Sequence, residues 1–232
     1  MVQKLIQKLH IVIILTILFL SNCSINQPNE KSYITLYESI GLSWIKDSKC
    51  EGGCLFGVEP GKTSYLDAHN ILLEIEEIEP TSLENRTYVY NNEEKESINF
   101  NFSNENYRGS ISSKNNVIED VYISVPGNME IATIGQMVEV FGKPDSLLWY
   151  NLNPEGKGCY INFLWRDLRM VAQSSDSNIP FLGLDLCEKM ERNDEKVAKD
   201  LGIDSIILLT QELFNEFDAV EEPTWNGFLE DN

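Results

Sequence analysis

Apolar and polar residues alternate with a period of two along much of this chain, and that period predicts β-strands. The strict alternation of Ile98-Asn99-Phe100-Asn101-Phe102 is typical of an antiparallel sheet with one face in water. Four segments of the first half follow the period, and they cover residues 86–90, 97–102, 107–112 and 117–125. Polar Asn-rich and Glu-rich stretches separate these segments and are typical of hairpin turns.

Helical spacing replaces this period at two places, and each begins with a capping pattern. Ser64 and Asp67 are three residues apart, as in a capping box, and apolar residues follow at helical intervals. Thr133 and Gln136 repeat that spacing, and Gly142 predicts the end of the second helix. We therefore expect a short helix at the start of each half.

The second half has the same order of elements as the first. Strands are predicted at residues 146–151, 159–165, 169–173 and 203–209, with a helix over 187–201 before the last of them. Each half thus contains a helix followed by about four strands, which favours an internal duplication. The sequence predicts an α+β fold made of two tandem units, each with short helices packed on an antiparallel sheet.

The N-terminus has the pattern of an export signal. Lys4 and Lys8 precede an apolar run over residues 9–20, which is too short to span a membrane. The ending Leu20-Ser21-Asn22-Cys23 resembles the lipobox of bacterial lipoproteins. That resemblance implies a cut before Cys23 and acylation of Cys23 by chains such as palmitate. It also implies a cell-membrane or outer-membrane location, with the anchored domain on the extracytoplasmic side.

These signals divide the chain into five predicted parts. They are a signal peptide (1–22), a tether with the segment that leads into the fold (23–49), a first helix-plus-sheet unit (50–125), a second such unit (126–210) and an acidic C-terminal tail (211–232).

The charge of the chain limits its partners. The 18 basic and 37 acidic residues give a net charge of −19, and removal of the signal with Lys4 and Lys8 would leave −21. Nucleic acids require many Lys and Arg contacts to their phosphates, so this balance argues against such a partner. The expected membrane contact is the N-terminal lipid alone. Cationic peptides, basic proteins and calcium have the sign of charge that such a surface attracts.

The five cysteines are informative if Cys23 carries the lipid. Cys50, Cys54, Cys159 and Cys187 then remain, and exported proteins commonly hold such residues as disulfides. Of three possible connectivities we favour Cys50 with Cys54 and Cys159 with Cys187. A four-cysteine zinc site is the alternative, although only the first pair has the usual ligand spacing.

Two turn motifs resemble those of a known family. Gly57-Val58-Glu59-Pro60-Gly61-Lys62-Thr63 is similar to the opening of SmpA/OmlA-type (BamE-like) lipoprotein domains, and residues 135–145 are similar to the end of the same helical opening. A tandem of such units resembles the β-lactamase inhibitor protein fold. The resemblance implies an accessory or binding module of the cell envelope. Gly61-Lys62-Thr63 is not a phosphate-binding loop, since Phe56 stands where that motif requires its first Gly.

Two functions from different classes follow from these patterns. The first is a lipid-anchored, non-enzymatic envelope protein whose sheet binds a protein or a peptide. The alternative is a hydrolase that uses paired carboxylates on an envelope or extracellular polymer, since a glycosidase needs only two acidic side chains. A carboxylate pair facing solvent in a pocket, one member with a raised pKa, would favour the hydrolase. The sequence predicts no cofactor and no metal, and it assigns no catalytic residue.

Overall fold

The computed structural model describes residues 36–45, 50–103, 107–126, 129–151, 159–175, 199 and 201–218. Strands dominate this part of the chain, and its helices are short. The strands are β1 (Glu84–Tyr90), β2 (Glu93–Asn101), β3 (Arg108–Lys114), β4 (Val117–Ser124), β5 (Ala132–Thr133), β6 (Ser146–Asn151), β7 (Cys159–Trp165), β8 (Met170–Ser175), β9 (Gly202–Ile203) and β10 (Ser205–Leu209). The α-helices are α1 (Leu36–Ile40), α2 (Tyr65–Glu74), α3 (Ile134–Phe141) and α4 (Gln211–Asp218), with 3₁₀ turns at Ser43–Ile45 and Pro80–Ser82.

Eight strands form one antiparallel sheet with the order β1-β2-β3-β4-β10-β8-β7-β6. Strands β1 to β4 run as a meander from one edge to the centre, and β6 to β8 do so from the other edge. Strand β10 lies between the two meanders and pairs with both β4 and β8. Its near-continuous apolar sequence, Ser-Ile-Ile-Leu-Leu, suits a central strand that is covered on both faces.

The predicted α+β fold of two tandem helix-plus-sheet units is wrong. The strands of the two halves belong to one eight-stranded sheet, and the α-helices of the described residues have only five to ten residues. The cause is β10, which joins the two meanders edge to edge. Buried residues of both halves also form one continuous core, which includes Ile98 and Val121 from the first and Phe163 and Ala172 from the second.

The predicted helix caps are confirmed. The Ser64 side chain accepts the amide N–H of Asp67 at the start of α2. Thr133 and Gln136 form a reciprocal capping box at the start of α3. Gly142 ends that helix with a φ of +79°, a conformation that Gly adopts without steric cost.

Two hairpins of the first meander have the same tight turn. Asn91 and Asn92 have φ values of +52° and +64°, and Asn115 and Asn116 have +53° and +64°. A two-residue turn with two positive φ values is the type I′ turn, whose twist matches that of paired strands and for which Asn is suited. These turns set the β1–β2 and β3–β4 registers.

Candidate functional site

The two faces of the sheet have different surroundings. Helices α2 and α3 pack on one face, called here the inner face, through residues such as Ala68, Leu72 and Met137. The other face is called the outer face. On its β6–β8 and β10 half, Phe214 of α4 packs against an apolar group made of Leu148, Leu164, Val171 and Leu209.

The outer face of the first meander is polar, and no described helix packs on it. Asn99, Ser110 and Tyr122 are aligned in one cross-strand row, and Asn101, Arg108 and Ser124 form the next. Together with Ser82, Glu84 and Arg86 they line a shallow groove of about 410 Å³. Tyr122 is 37% exposed, and the polar side chains around it offer hydrogen-bond donors and acceptors. We call this surface the open face.

A partly buried hydrogen-bonded chain continues the second row into the other half of the sheet. Ser124 pairs with Ser205, which pairs with Gln173, which in turn pairs with Asn162. Ser205 Oγ donates to Gln173 Oε1 at 3.2 Å, and Gln173 Nε2 donates to Asn162 Oδ1 at 3.0 Å. Because buried polar groups are costly unless paired, this chain fixes the rotamers beside the open face.

A β-bulge in the β3–β4 pair places two carboxyl groups on the outer face near the β3–β4 turn. Ser113 pairs with Ile118 but Ser112 pairs with Asp120, so Glu119 is the extra residue. Lys95 Nζ lies 2.6 Å from Glu119 Oε2, and this hydrogen bond raises the pKa of Lys95. Burial raises the pKa of Asp120, although a hydrogen bond from the Ser112 side chain and the charge of Lys95 oppose the shift.

An ion pair between the buried carboxylate of Glu59 and the partly buried guanidinium of Arg169 attaches the disulfide loop to the sheet. Arg169 Nη2, on the β7–β8 turn, lies 2.7 Å from Glu59 Oε1. Glu59 also accepts the amide N–H groups of Glu51 and Gly52. Burial alone would raise the pKa of Glu59, but the hydrogen bonds from Arg169, the Glu51 amide and Lys62 outweigh it and hold the pKa below its usual 4.5. Glu59 is therefore a charged centre around which the loop is organised.

Lack of a side chain at Gly52 lets this pair form. A Cβ at Gly52 would lie 2.0 Å from Arg169 Nη2, so any larger residue would displace the guanidinium. The adjacent Gly53 N–H donates to Leu168 O at 2.8 Å, which adds a backbone contact between the loop and the same turn.

A larger groove of about 960 Å³ lies among the Pro60–Lys62 turn, the β3–β4 hairpin and α4. Four basic residues line it: Lys62, Lys95, Lys114 and Arg169. Each has an acidic partner, and these partners are Glu51, Glu119, Glu93 and Glu59 respectively. The groove therefore presents compensated charges and does not form a positive site for an anion.

The structure places only part of the predicted site residues. The predicted presence of a disulfide is confirmed by the bridge between Cys50 and Cys54. Cys159 begins β7, whereas Cys187 lies outside the described residues, so the second bridge stays a prediction. Cys23 also lies outside them, and its lipidation stays a prediction.

Several interacting residues carry no signal in the sequence. Glu59 and Arg169 are 110 positions apart, and nothing in the local pattern links them. Pairing of Lys95 with Glu119 follows from the sheet register and the bulge, which depend on tertiary structure. The apolar pair Leu213 and Phe214 within the otherwise polar start of residues 211–218 was the available signal for α4, but the acidic composition around it is that of a tail.

No helix within the described residues is long and apolar enough to cross a membrane. Their His, Cys, Asp and Glu side chains also form no group of three or more that is suited to hold a metal ion.

Comparisons with known proteins add little to this geometry. No family model matches the chain, and no curated protein matches it significantly. Among solved structures, a cysteine-rich secretory protein of Staphylococcus aureus is similar at 16% identity over 63% of this chain, with a TM-score of 0.28. The chain covers 46% of that protein's length. A TM-score of this size carries no inference about fold or function.

Proposed function

We propose that this chain is a lipid-anchored envelope protein that binds a protein or a peptide and has no enzymatic activity. The open face is the observation that supports the proposal. Polar side chains on three adjacent strands form an exposed surface, and the hydrogen bonds of the partly buried Ser205–Gln173–Asn162 chain restrain the side chains at its border. Rigid hydrogen-bonding surfaces with an exposed aromatic side chain suit recognition, because little entropy is lost when they bind.

The acidic residues favour binding over the alternative, a carboxylate-based hydrolase. Asp120 is the described carboxyl whose pKa is raised, and its neighbour Glu119 is held by Lys95. Glycosidases place their two carboxyl groups on opposite sides of the bond that they cleave. Consecutive residues on one strand do not meet that requirement, and Asp120 does not line either groove described above.

The address in this proposal rests on the N-terminal sequence. Lys4, Lys8 and the apolar run before Cys23 form the export signal, and the lipobox-like ending supports acylation at Cys23. The turn motifs that resemble SmpA/OmlA-type lipoproteins support an accessory role in the envelope. The anchor would keep the domain at an extracytoplasmic membrane surface.

Cross-linking on intact cells tests the proposal. The full chain, the Tyr122→Ala variant and the Val140→Ala variant are each expressed, cross-linked and recovered from solubilised membranes. Tyr122 and Val140 are almost equally exposed, at 37% and 39%, but Val140 lies on α3 away from the open face. We expect one specific partner that Tyr122→Ala loses and Val140→Ala keeps. A purified chain that hydrolyses an envelope polysaccharide and captures no partner would overturn the proposal.

A Cys23→Ser variant tests the address separately. The wild-type chain is expected in the membrane fraction with a mass increased by its acyl chains, and the variant is expected outside that fraction. Lipidation at Cys23 would be contradicted if the variant stays in the membrane fraction and its mass differs from that of the wild-type chain only by the substitution itself.

A further inference from the structure

Strand β1 is an edge strand with unusual exposure. Among the strands of the described residues it pairs with β2 alone, and all seven residues from Glu84 to Tyr90 are exposed. Edge strands usually carry devices that prevent pairing with other chains, such as Pro, a bulge or inward-pointing charges. Charged residues occur only at Glu84 and Arg86, near the start of β1, and its second half is Tyr-Val-Tyr.

The turn that follows β1 determines which of its backbone groups point outward. In a hairpin with a two-residue type I′ turn, the residues flanking the turn, here Tyr90 and Glu93, exchange both backbone hydrogen bonds. Backbone groups then alternate along the strand, so every second residue from Tyr90 bonds to β2. Asn85, Thr87 and Val89 consequently direct their N–H and C=O groups away from the sheet.

Exposed apolar side chains lie beside these free groups. Tyr88, Val89 and Tyr90 are 39%, 72% and 58% exposed. Few large apolar side chains of the described residues are exposed, and these three are adjacent in the sequence. An added strand would cover them while its backbone bonds to β1. This combination of outward amides and uncovered side chains is what strand addition uses.

The charge on one face of the β1–β2 hairpin favours an added strand with basic side chains on that face. Val89 pairs with Glu94 and Thr87 pairs with Glu96, and both glutamates lie on the same face of the hairpin as their partners. An added strand would lie about 10 Å from these carboxylates, two strand spacings away, within reach of extended Lys side chains. A second copy of this chain would bring the same acidic hairpin and its own charge of −19, which opposes pairing between copies.

We propose that β1 accepts, by strand addition, an extended segment of a partner protein in which basic and apolar residues alternate. The inference rests on the proposed binding function and extends the partner's contact from the open face, whose groove includes Glu84 and Arg86 of β1, to the edge of the sheet. The outward N–H and C=O groups of Asn85, Thr87 and Val89 supply the backbone hydrogen bonds. Tyr88 and Tyr90 on one side, and Glu94 and Glu96 on the other, contact the alternating side chains.

A synthetic peptide measures this binding directly. The probe is a blocked Lys-Val-Lys-Val-Lys-Val-Lys peptide, and its control has Glu in place of every Lys. Each is titrated into the full chain, and amide hydrogen exchange is followed by NMR. We expect the Lys peptide to protect the amides of Asn85, Thr87 and Val89. The amides of Arg86 and Tyr88, which already bond to β2, should change little, and added salt should weaken the binding.

A pair of variants at one residue separates the backbone from the side chain. Thr87→Pro removes an outward N–H without removing a bond to β2, and edge strands accept Pro where the N–H faces solvent. Thr87→Ala removes the side chain and keeps the N–H. We expect at least a tenfold loss of peptide affinity in Thr87→Pro and less than a twofold change in Thr87→Ala. If Thr87→Pro unfolds, the exchange pattern of the wild-type chain still decides the question.

The inference would be overturned by equal binding of the Glu peptide, by protection on the open face in place of β1, or by self-association through β1 without peptide. The partner of the cross-linking experiment distinguishes this inference from the proposed function. If Thr87→Pro captures that partner as well as wild type does, the edge proposal fails and the binding function stands. If no form of the chain captures a partner, the binding function itself fails.

Discussion

Removal of the Arg169 charge is expected to destabilise the fold through Glu59. Arg169→Met keeps an unbranched apolar stem but leaves the buried Glu59 carboxylate without its closest cationic partner. Loss of one member of a buried ion pair generally costs about 3–5 kcal/mol. Glu59 retains Lys62 at 3.3 Å and the Gly52 amide at 3.2 Å, so we expect a loss of about 2–3 kcal/mol in the free energy of unfolding.

Urea denaturation at neutral pH, with the disulfide intact, measures this loss. Glu59→Gln and the double variant complete a mutant cycle, and we expect a coupling of about 1–2 kcal/mol between the two positions. Arg108→Met is the control, because Arg108 is an exposed residue of β3, and its effect should stay within about 0.5 kcal/mol.

The pH dependence of the free energy of unfolding is an independent test of this pair. The pKa of Glu59 is lowered in the folded state, so its contribution is present above the unfolded value and is lost as the pH falls through the folded value. The wild-type advantage over Arg169→Met should therefore be largest near pH 7 and shrink well below pH 4.5. The stabilising role of the pair would be refuted if the free-energy losses of Arg169→Met and Glu59→Gln simply add in the double variant. It would also be refuted if the stability difference between wild type and Arg169→Met does not change with pH.

Three further substitutions test the packing, the turns and the disulfide. Gly109→Ala would place a Cβ 1.9 Å from Phe100 Cζ, and we expect it to lower the free energy of unfolding by about 1–3 kcal/mol. Phe100→Leu in a double variant should partly restore this loss, and an equal loss with Phe100 and with Leu at position 100 would contradict the contact. Asn116→Val puts a β-branched residue at a φ of +64° and should cost about 1–3 kcal/mol, whereas Asn116→Gly should not lower the melting temperature. Replacing Cys50 and Cys54 by Ser removes a short cross-link and should cost about 2 kcal/mol, and no change in the urea midpoint would show that the ion pair alone holds the loop.

Local signals in the sequence predicted many of the individual elements. The predicted strand over 203–209 is two strands, β9 and β10, and the predicted helix over 187–201 lies almost wholly outside the described residues. The capping pair Thr133 and Gln136 and the alternation around Phe100 act over a few residues, so their structural outcome can be read from neighbours in the chain. Strands β6 and β7 have the bounds that the sequence predicts. The long-range arrangement was not predictable in the same way, because two four-stranded sheets and one eight-stranded sheet require the same local patterns.

The candidate site depended most on that long-range information. The open face exists because α4 covers only one half of the outer face, and nothing near Tyr122 in the sequence shows which half. The Glu59–Arg169 pair joins a turn before α2 to a turn after β7. The disulfide was easier to predict from the sequence, since Cys50 and Cys54 are close in the chain.

The position of β10 also determines the order in which the sheet can be completed. Both meanders are built from hairpins between neighbouring segments and can form as soon as they are synthesised. Of the described strands, β10 is synthesised last, yet its residue Leu209 pairs with Asp120, 89 positions earlier in the chain. Until β10 arrives, β4 and β8 each present an unpaired edge, which slows folding and exposes the nascent chain to aggregation. A stop codon before Ser205 would therefore yield two separate half-sheets, each with an unpaired, aggregation-prone edge, instead of a slightly shortened protein.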